Sequence, residues 1–464
     1  MSEIIFSVSG VRGIYGDSLT LPVVVHYTLA FAKFCRDNKK SKKIVVGRDG
    51  RLMGDEVSAV AVYTLSIAGF EVIDIGVAPT PTVQLAVEKL KAAGAIAVTA
   101  SHNPQQWNGL KFLDSDGTFL KSKQIDAVKK NIKLKKFNFV NVDKPAKVKG
   151  DKTWLDKHID LVLKLKNLNI RKIRSRKFKV VVDAVNASGS VIVPKLLKKL
   201  GCNVIELYCT GSGKFPHTPE PLPHNLKLLS KAVVKHKADI GFAIDPDGDR
   251  LVLICDDGKP FIEENSIVTV VRNILKTTRT KGQKVCVNMS TTRAVEDVAK
   301  EYGAKVYRTP VGEINVVNQM KKVKAVVGGE GSGGIIVPKV HYGRDASVGV
   351  ALVLNELADF KGKVSEYKKT IPQYHIEKAK IETKGDPSKL LKRIEKEYRK
   401  KKCKVSTIDG VKLDFPEYWI HLRKSNTEPI IRIITEAKSK AEAVKIQTAF
   451  LKSLKYRFEK HSFN

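Results

Sequence analysis

Three times along the chain, apolar runs of strand length alternate with stretches whose apolar residues recur every three or four positions, each time in the same order. The first copy opens on KIVVGRDG (43–50) and passes through a helical pattern over 53–68, the strand EVIDIG (71–76) and a second helical pattern over 82–92. It closes on AGAIAVTASHNP (93–104). The second copy runs from FKVVVDAVNASG (178–189) through VIVPKLLKKLG, CNVIELY, the long loop GSGKFPHTPEPLPH and NLKLLSKAVVKHK to ADIGFAIDPDGDR (238–250). The third runs from QKVCVNMS (283–290) through TRAVEDVAKEYG, KVYRTP and EINVVNQMKKV to KAVVGGEGSGG (324–334). Alternating signals of this length predict parallel sheets covered by helices. From about 371 the pattern changes to the strand HIEKAKIET, a helix over 387–400, a turn at Asp409 and Gly410, the strands YWIHLRKS and PIIRIITEA, and a terminal amphipathic helix. The chain is expected to be α/β, with three similar mixed α/β domains (1–150, 151–258, 259–368) and a smaller C-terminal α+β domain (369–464) around one central cleft.

The length of 464 residues exceeds what one core serves, and 42% apolar with 28% charged residues excludes a disordered, collagen-like or disulfide-stapled chain. No apolar run reaches the roughly 18 residues of a membrane span, and MSEIIF, with Glu3, does not open a signal peptide. Six cysteines form no CxxC, so buried free thiols in a reducing cytosol are expected. The net charge of +35 points to a polyanion or to anionic substrates. Residues 121–180 carry 20 basic and 5 acidic side chains. Their interleaved apolar residues, and the wide spacing of Phe137, Phe139 and Trp154, predict a solvated helix and linker rather than a base-stacking groove.

In each copy the last strand runs directly into a polar loop, and in open α/β sheets ligands bind beyond the carboxyl ends of strands. In TASHNP, Ser101 is a candidate nucleophile or phosphoryl carrier, His102 its orienting neighbour, and Lys111 a proton or anion handler. No G-x-S-x-G frame surrounds the serine, which excludes a hydrolase elbow. In DPDGDR, Asp245, Asp247 and Asp249 repel one another unless a cation lies between them, and oxygen donors suit magnesium or calcium. An EF-hand is excluded because Gly248 comes too early and Arg250 occupies the glycine position. In GGEGSGG, Glu330 and Ser332 can hydrogen-bond a polyol that the glycines let approach. In RKSNTEPIIR, Arg423, Ser425, Asn426 and Thr427, with Arg432 on the next strand, suit a phosphate dianion. TGSGKF is no nucleotide loop, since Tyr208 and Phe215 stand where a Walker motif needs glycine and Ser or Thr.

Together, in this order, TASHNP, DPDGDR, GEGSGG and RKSNTEP resemble the alpha-D-phosphohexomutase superfamily over essentially the whole chain, including its phosphomannomutase/phosphoglucomutase and phosphoglucosamine mutase branches. The resemblance implies an isomerase that interconverts hexose 1-phosphate and hexose 6-phosphate through a phosphoserine at Ser101 and a bisphosphorylated sugar. It implies magnesium on Asp245, Asp247 and Asp249 with the Ser101 phosphate completing the set, and Arg250 beside the phosphoserine. Lys111 becomes a candidate general acid or base next to His102, Glu330 and Ser332 contacts to sugar hydroxyls, and Arg423, Ser425, Asn426 and Thr427 the distal phosphate site near Arg432. The opening FSVSGVRG keeps Ser9, Gly10, Arg12 and Gly13 of the family's F-G-T-S-G-x-R-G, so Arg12 should be an active-site cation. Gly334 stands where many bacterial members carry histidine, and GEGSGG with HYGRDA looks more like archaeal members. The resemblance further implies that Arg308, Thr309 and Gly312, in YRTPVGE, fall in a segment that helps choose substrate orientation. The expected partners are hexose phosphates and a hexose bisphosphate, with no nucleic acid or membrane, in a cytoplasmic monomer or homodimer. The competing classes are a basic nucleic-acid-binding protein, which leaves the four loops unexplained, and a serine-linked sugar phosphatase, which releases free phosphate.

Overall fold

The computed structural model describes residues 3–134, 137, 139, 146–278, 280–382, 386–424 and 430–459. The three repeated stretches fold on one plan. In the second, Lys179–Asp183 lies between Asn203–Leu207 and Ile240–Ile244, both parallel to it, and Leu251–Cys255 closes the edge antiparallel to Ile240–Ile244. In the third, Lys284–Asn288 lies between Lys305–Thr309 and Val327–Glu330, with Gly334–Ile336 as the antiparallel edge. The first repeats the plan with Glu71–Val77, Lys43–Arg48, Gly94–Val98 and Trp107–Asp114. It grows to seven strands by adding Gly10–Ile14 and Ile5–Ser7 at one edge and Val148–Gly150 at the other.

The alternating pattern predicts parallel sheets, and the strands it marks are parallel; each unit adds a further strand beyond its polar loop, antiparallel to the one before it. The polar segment after the third strand is six residues long in the second unit (245–250) and three in the third (331–333). A parallel crossover takes about a dozen residues or more, so the chain can only turn back as a hairpin. Each of these three loops is therefore a hairpin turn at the carboxyl end of a wholly buried strand. The helix expected over 82–92 starts earlier, as Thr80–Lys89, with Pro81 in its first turn where a missing amide costs nothing.

Helix Ala346–Asp359 is buried along nearly its whole length against Glu263–Thr278, Trp154–Leu163, Ile170–Arg176 and Gly189–Lys199. It joins the second and third units in one apolar core that spans Ile159 to Ile371 and takes in Leu85 of the first unit. The fourth unit is a five-stranded antiparallel sheet in the order His375–Glu382, Ile430–Ala437, Trp419–Lys424, Val411–Asp414, Lys404–Ser406, with helices Pro387–Tyr398 and Lys440–Glu459 and a core of its own around Leu413, Leu422, Ile431 and Ile433. In the lysine-rich stretch, helix Ser122–Ile132 buries Ile125 and Val128 and exposes Lys123, Lys129 and Lys130. The six cysteines are free, and Cys35, Cys255 and Cys286 are buried. Among the described residues no helix is long and apolar enough to cross a membrane.

Candidate active site

Ser101 stands on the first hairpin turn at φ +53°, in the left-handed region that a non-glycine residue holds only when its surroundings enforce it. Its amide donates to Thr99 Oγ1 at 2.8 Å and its carbonyl accepts from Arg51 Nη2 at 2.6 Å. Arg51 is buried, and its Nε donates to Asp49 Oδ2 at 2.9 Å, an oxygen that also accepts from Thr99 Oγ1 at 2.6 Å. Asp49 and Arg51 thus pin the serine turn, although along the chain they mark only the end of a strand. Ser101 Oγ lies 3.2 Å from His102 Nδ1. Burial, then the charges of Arg250 and Arg12, push that imidazole down to about 3, so it is neutral at physiological pH.

On the second turn, Gly248 adopts φ +67°, and a Cβ there would sit 2.8 Å from Pro79 Cβ of the first unit, so a glycine is what lets the two units meet. Asp245, Asp247 and Asp249 are fully buried, with one carboxylate oxygen of each within 4.8 Å of the others. Asp245 Oδ1 accepts from the amides of Asp249 and Arg250 at 3.1 and 3.0 Å. Asp247 Oδ2 accepts from Thr80 Oγ1 at 2.7 Å and from Lys111 Nζ at 2.5 Å, and Asp249 Oδ2 from Arg344 Nη2 at 2.6 Å. That leaves Asp245 Oδ2, Asp247 Oδ1 and Asp249 Oδ1 without hydrogen-bond partners. A buried polar atom left so costs about 1–3 kcal/mol, more when charged, and one divalent cation satisfies all three. Burial, with repulsion from Asp249 and Asp247, pushes the Asp245 carboxyl well above its ordinary range. Burial acts the same way on Asp249, but Arg344, Lys111 and Arg250 outweigh it and hold that carboxylate ionised. The donor set fits a hard, oxygen-seeking metal ion.

The third turn presents Glu330 and Ser332. Glu330 Oε1 accepts from Asn288 Nδ2 and from the Gly312 amide, both at 2.9 Å, and Oε2 accepts from Arg344 Nη1 at 2.8 Å. Glu313 Oε2 accepts from Arg344 Nε at 3.0 Å and its Oε1 from Gln84 Nε2 at 3.1 Å. Glu264 Oε2 accepts from the Thr292 amide at 2.9 Å, and the carboxyl lies so close to Gly331 that a Cβ there would meet it at 2.0 Å. Burial pushes the carboxyl of Glu313 up to about 7 and that of Glu264 up to about 8.

Arg423 and Arg432 lie directly opposite each other across Trp419–Lys424 and Ile430–Ala437. Like charges in that relation are unfavourable without an anion to share. Arg423 Nε pairs with Asp409 Oδ2 at 2.8 Å, and the same oxygen accepts from the Val311 amide at 2.8 Å, which ties the fourth unit to the third.

One cavity of about 760 Å³ collects these groups: Arg12, Ser101, His102, Lys111 and Arg250 from the first two units, Glu330 and Ser332 from the third, Arg423 and Arg432 from the fourth. The three aspartates lie behind it, Asp247 and Asp249 in contact with Lys111. Ser425, Asn426 and Thr427 lie outside the described residues. Arg308 is not brought in: its guanidinium is bonded to Glu296 and to the carbonyls of Asn288, Thr291 and Thr292, and it does not line the cavity. Thr309 is buried, whereas Gly312 lines the cavity beside Val311 and Glu313.

A ligand that answers the whole cavity carries anionic groups for its cations and hydroxyls for its carboxylates, as a sugar phosphate does, and the class so defined is the enzymes that act on phosphosugars. The chain belongs to the phosphoglucomutase/phosphomannomutase family: the models of its alpha/beta/alpha domains I, II and III match residues 3–139, 156–258 and 263–374, and that of its C-terminal domain matches 378–453. It is 33% identical to the phosphoglucomutase/phosphomannomutase of Thermococcus kodakarensis, over 95% of this chain and 96% of that one. It is 32% identical to a probable phosphoglucosamine mutase of Methanopyrus kandleri, over 96% of both, and 31% identical to the phosphoglucosamine/phosphogalactosamine mutase of Sulfurisphaera tokodaii, over 94% and 95%. The crystal structure of a phosphoglucomutase/phosphomannomutase family protein from Burkholderia thailandensis superposes with a TM-score of 0.86 at 27% identity, over 97% of this chain and 98% of that one.

Proposed function

We propose that the chain interconverts hexose 1-phosphate and hexose 6-phosphate through a phosphoserine at Ser101, with magnesium on Asp245, Asp247 and Asp249. The observation that carries this is the set of three buried aspartate oxygens without hydrogen-bond partners, in a turn that Lys111, on the strand leaving the serine turn, reaches through Asp247. Bound there, magnesium offsets negative charge on the transferring phosphoryl group. In the forward half-reaction the phosphorus–oxygen bond to Ser101 breaks as the sugar hydroxyl oxygen bonds to phosphorus; the hydroxyl proton leaves, and the serine oxygen gains one. His102, neutral and 3.2 Å from Ser101 Oγ, is placed to orient that oxygen through a hydrogen bond. Lys111, Arg12 and Arg250 hold phosphoryl oxygens, while Arg423 and Arg432 hold the phosphate that does not react. The bisphosphate then turns over and returns its other phosphoryl group to Ser101. Thiols outside any disulfide suit a reducing compartment, and we take the site of action to be the cytoplasm.

Among hexoses, an amino sugar suits the cavity best. Glu264 faces the sugar loop with only one of its oxygens bonded to a backbone amide, and a 2-ammonium group would restore the charge that burial suppresses. The names of the Methanopyrus and Sulfurisphaera relatives support the same choice. Initial rates on glucosamine, glucose and mannose phosphates, with magnesium and the matching bisphosphate, test both statements. Isomerisation without release of inorganic phosphate, with glucosamine preferred, is the expected result. Phosphate release without isomerisation would convert the assignment to a phosphatase, and preference for a neutral hexose would remove the amino-sugar assignment.

A further inference from the structure

Arg344 is buried, and it stands in none of the four loops that present candidate site residues. Its guanidinium nevertheless reaches two of them. Nη2 donates to Asp249 Oδ2 at 2.6 Å in the metal turn, Nη1 to Glu330 Oε2 at 2.8 Å in the sugar turn, and Nε to Glu313 Oε2 at 3.0 Å. The fork thus touches groups of the second and third units, and Glu313 passes the connection on to Gln84 in the first. The backbone around Arg344 is fixed as well: Asp345 N donates to the Ile335 carbonyl at 2.9 Å, and Ala346 N to the Gly248 carbonyl at 3.1 Å.

The space that Arg344 occupies is the space a side chain at 334 would need. A Cβ on Gly334 would lie 2.3 Å from Arg344 Cδ and 3.1 Å from its Cγ. Gly334 is therefore the residue that allows the guanidinium to enter, and the two positions are sterically exclusive. The consequence for the aspartates is specific. With Oδ2 of Asp249 held by Arg344, only Oδ1 is left for a metal ion, and its direction follows the fork. The consequence for Glu330 is parallel: its carboxylate plane is set by Arg344 against Asn288 and the Gly312 amide.

Resting on the metal and sugar sites proposed above, we propose that Arg344 is a positioning residue that couples the two turns, so that a change in the sugar turn is felt at the metal through its guanidinium. A lysine there keeps the charge and loses the fork, which separates positioning from simple electrostatics.

The test uses the full chain and two calorimetric titrations, magnesium into the resting protein and glucose 6-phosphate into the magnesium-saturated protein. Arg344→Lys is expected to weaken both by about tenfold, the usual scale for losing a partner that orients a ligand residue. Glu330→Gln, which removes no magnesium ligand, is expected to weaken magnesium binding about threefold or more in the native background and to leave it unchanged when Arg344→Lys is already present. An equal shift in both backgrounds, or none in the native one, would overturn the coupling. If Arg344→Lys does not fold, as judged by thermal melting, Gly334→Ala takes its place, since it displaces the arginine while keeping every charge. Both readouts are binding constants, so a chain that binds magnesium and glucose 6-phosphate but does not isomerise would refute the proposed function and still decide this one.

Discussion

A serine fixed at φ +53° between Thr99 and Arg51 has its turn held by the fold itself, which suits the carrier role proposed for it. Ser101→Ala is expected to lower isomerisation by at least about a thousandfold with an unchanged melting temperature, checked by coupled assay and calorimetry. Asp247→Ala removes one of the three aspartate oxygens that lack hydrogen-bond partners, together with the partner of Lys111 and Thr80, and magnesium titration should show about a tenfold or greater loss of affinity. The Glu264 carboxyl stands at about 8 in the fold against an ordinary value of 4.5. Below about 4.5 both folded and unfolded chains hold the proton. Between there and about 8 the unfolded chain has released it, so the folded state loses stability as pH rises. Glu264→Gln should therefore flatten the fall in melting temperature from about pH 5 to about pH 8. Ser101, the three aspartates, Glu330 and Arg423 are legible along the chain because each polar group follows an apolar strand. Arg344, Asp49, Arg51 and Thr80 are not, because each acts on a partner distant in sequence through one side chain, which leaves no local pattern.

At the level of the element, Arg423 and Arg432 stand opposite each other across the last hairpin, an arrangement of like charges that a shared anion would favour. Arg432→Ala should stabilise the unliganded protein by about 0.2–1 kcal/mol in denaturant titration while raising the KM for hexose phosphate about tenfold or more. Lack of any gain in unliganded stability would mean that Asp409 already neutralises the pair through Arg423. The periodicity that finds most strands and helices of the repeat misses Leu21–Asn38, Glu263–Thr278 and Ala346–Asp359. The reason is physical for the last of these: a helix buried from Ala346 to Ala358 has no polar face, and an amphipathic signal needs two faces. The antiparallel edge strands escape for the converse reason, since a hairpin as short as 331–333 reads as part of the strand before it.

For the whole molecule, the +35 charge divides into a few cations that line the cavity and a larger number on exposed faces such as that of Ser122–Ile132. The exposed share acts at a distance, and salt screens it over about 10 Å at 0.1 M. Raising ionic strength should lower kcat/KM for hexose phosphate while kcat changes little; a salt-independent kcat/KM would confine the useful charge to the cavity. The apolar core that runs from Ile159 to Ile371, beside a fourth unit with a core of its own, sets how the chain can be rebuilt. A break near 258 would divide one hydrophobic interior and expose both halves, whereas a break between 371 and 375 follows a natural seam. New termini, or a C-terminal unit borrowed from a mutase of different preference, belong at that seam, which makes the unit that carries Arg423 and Arg432 an exchangeable part.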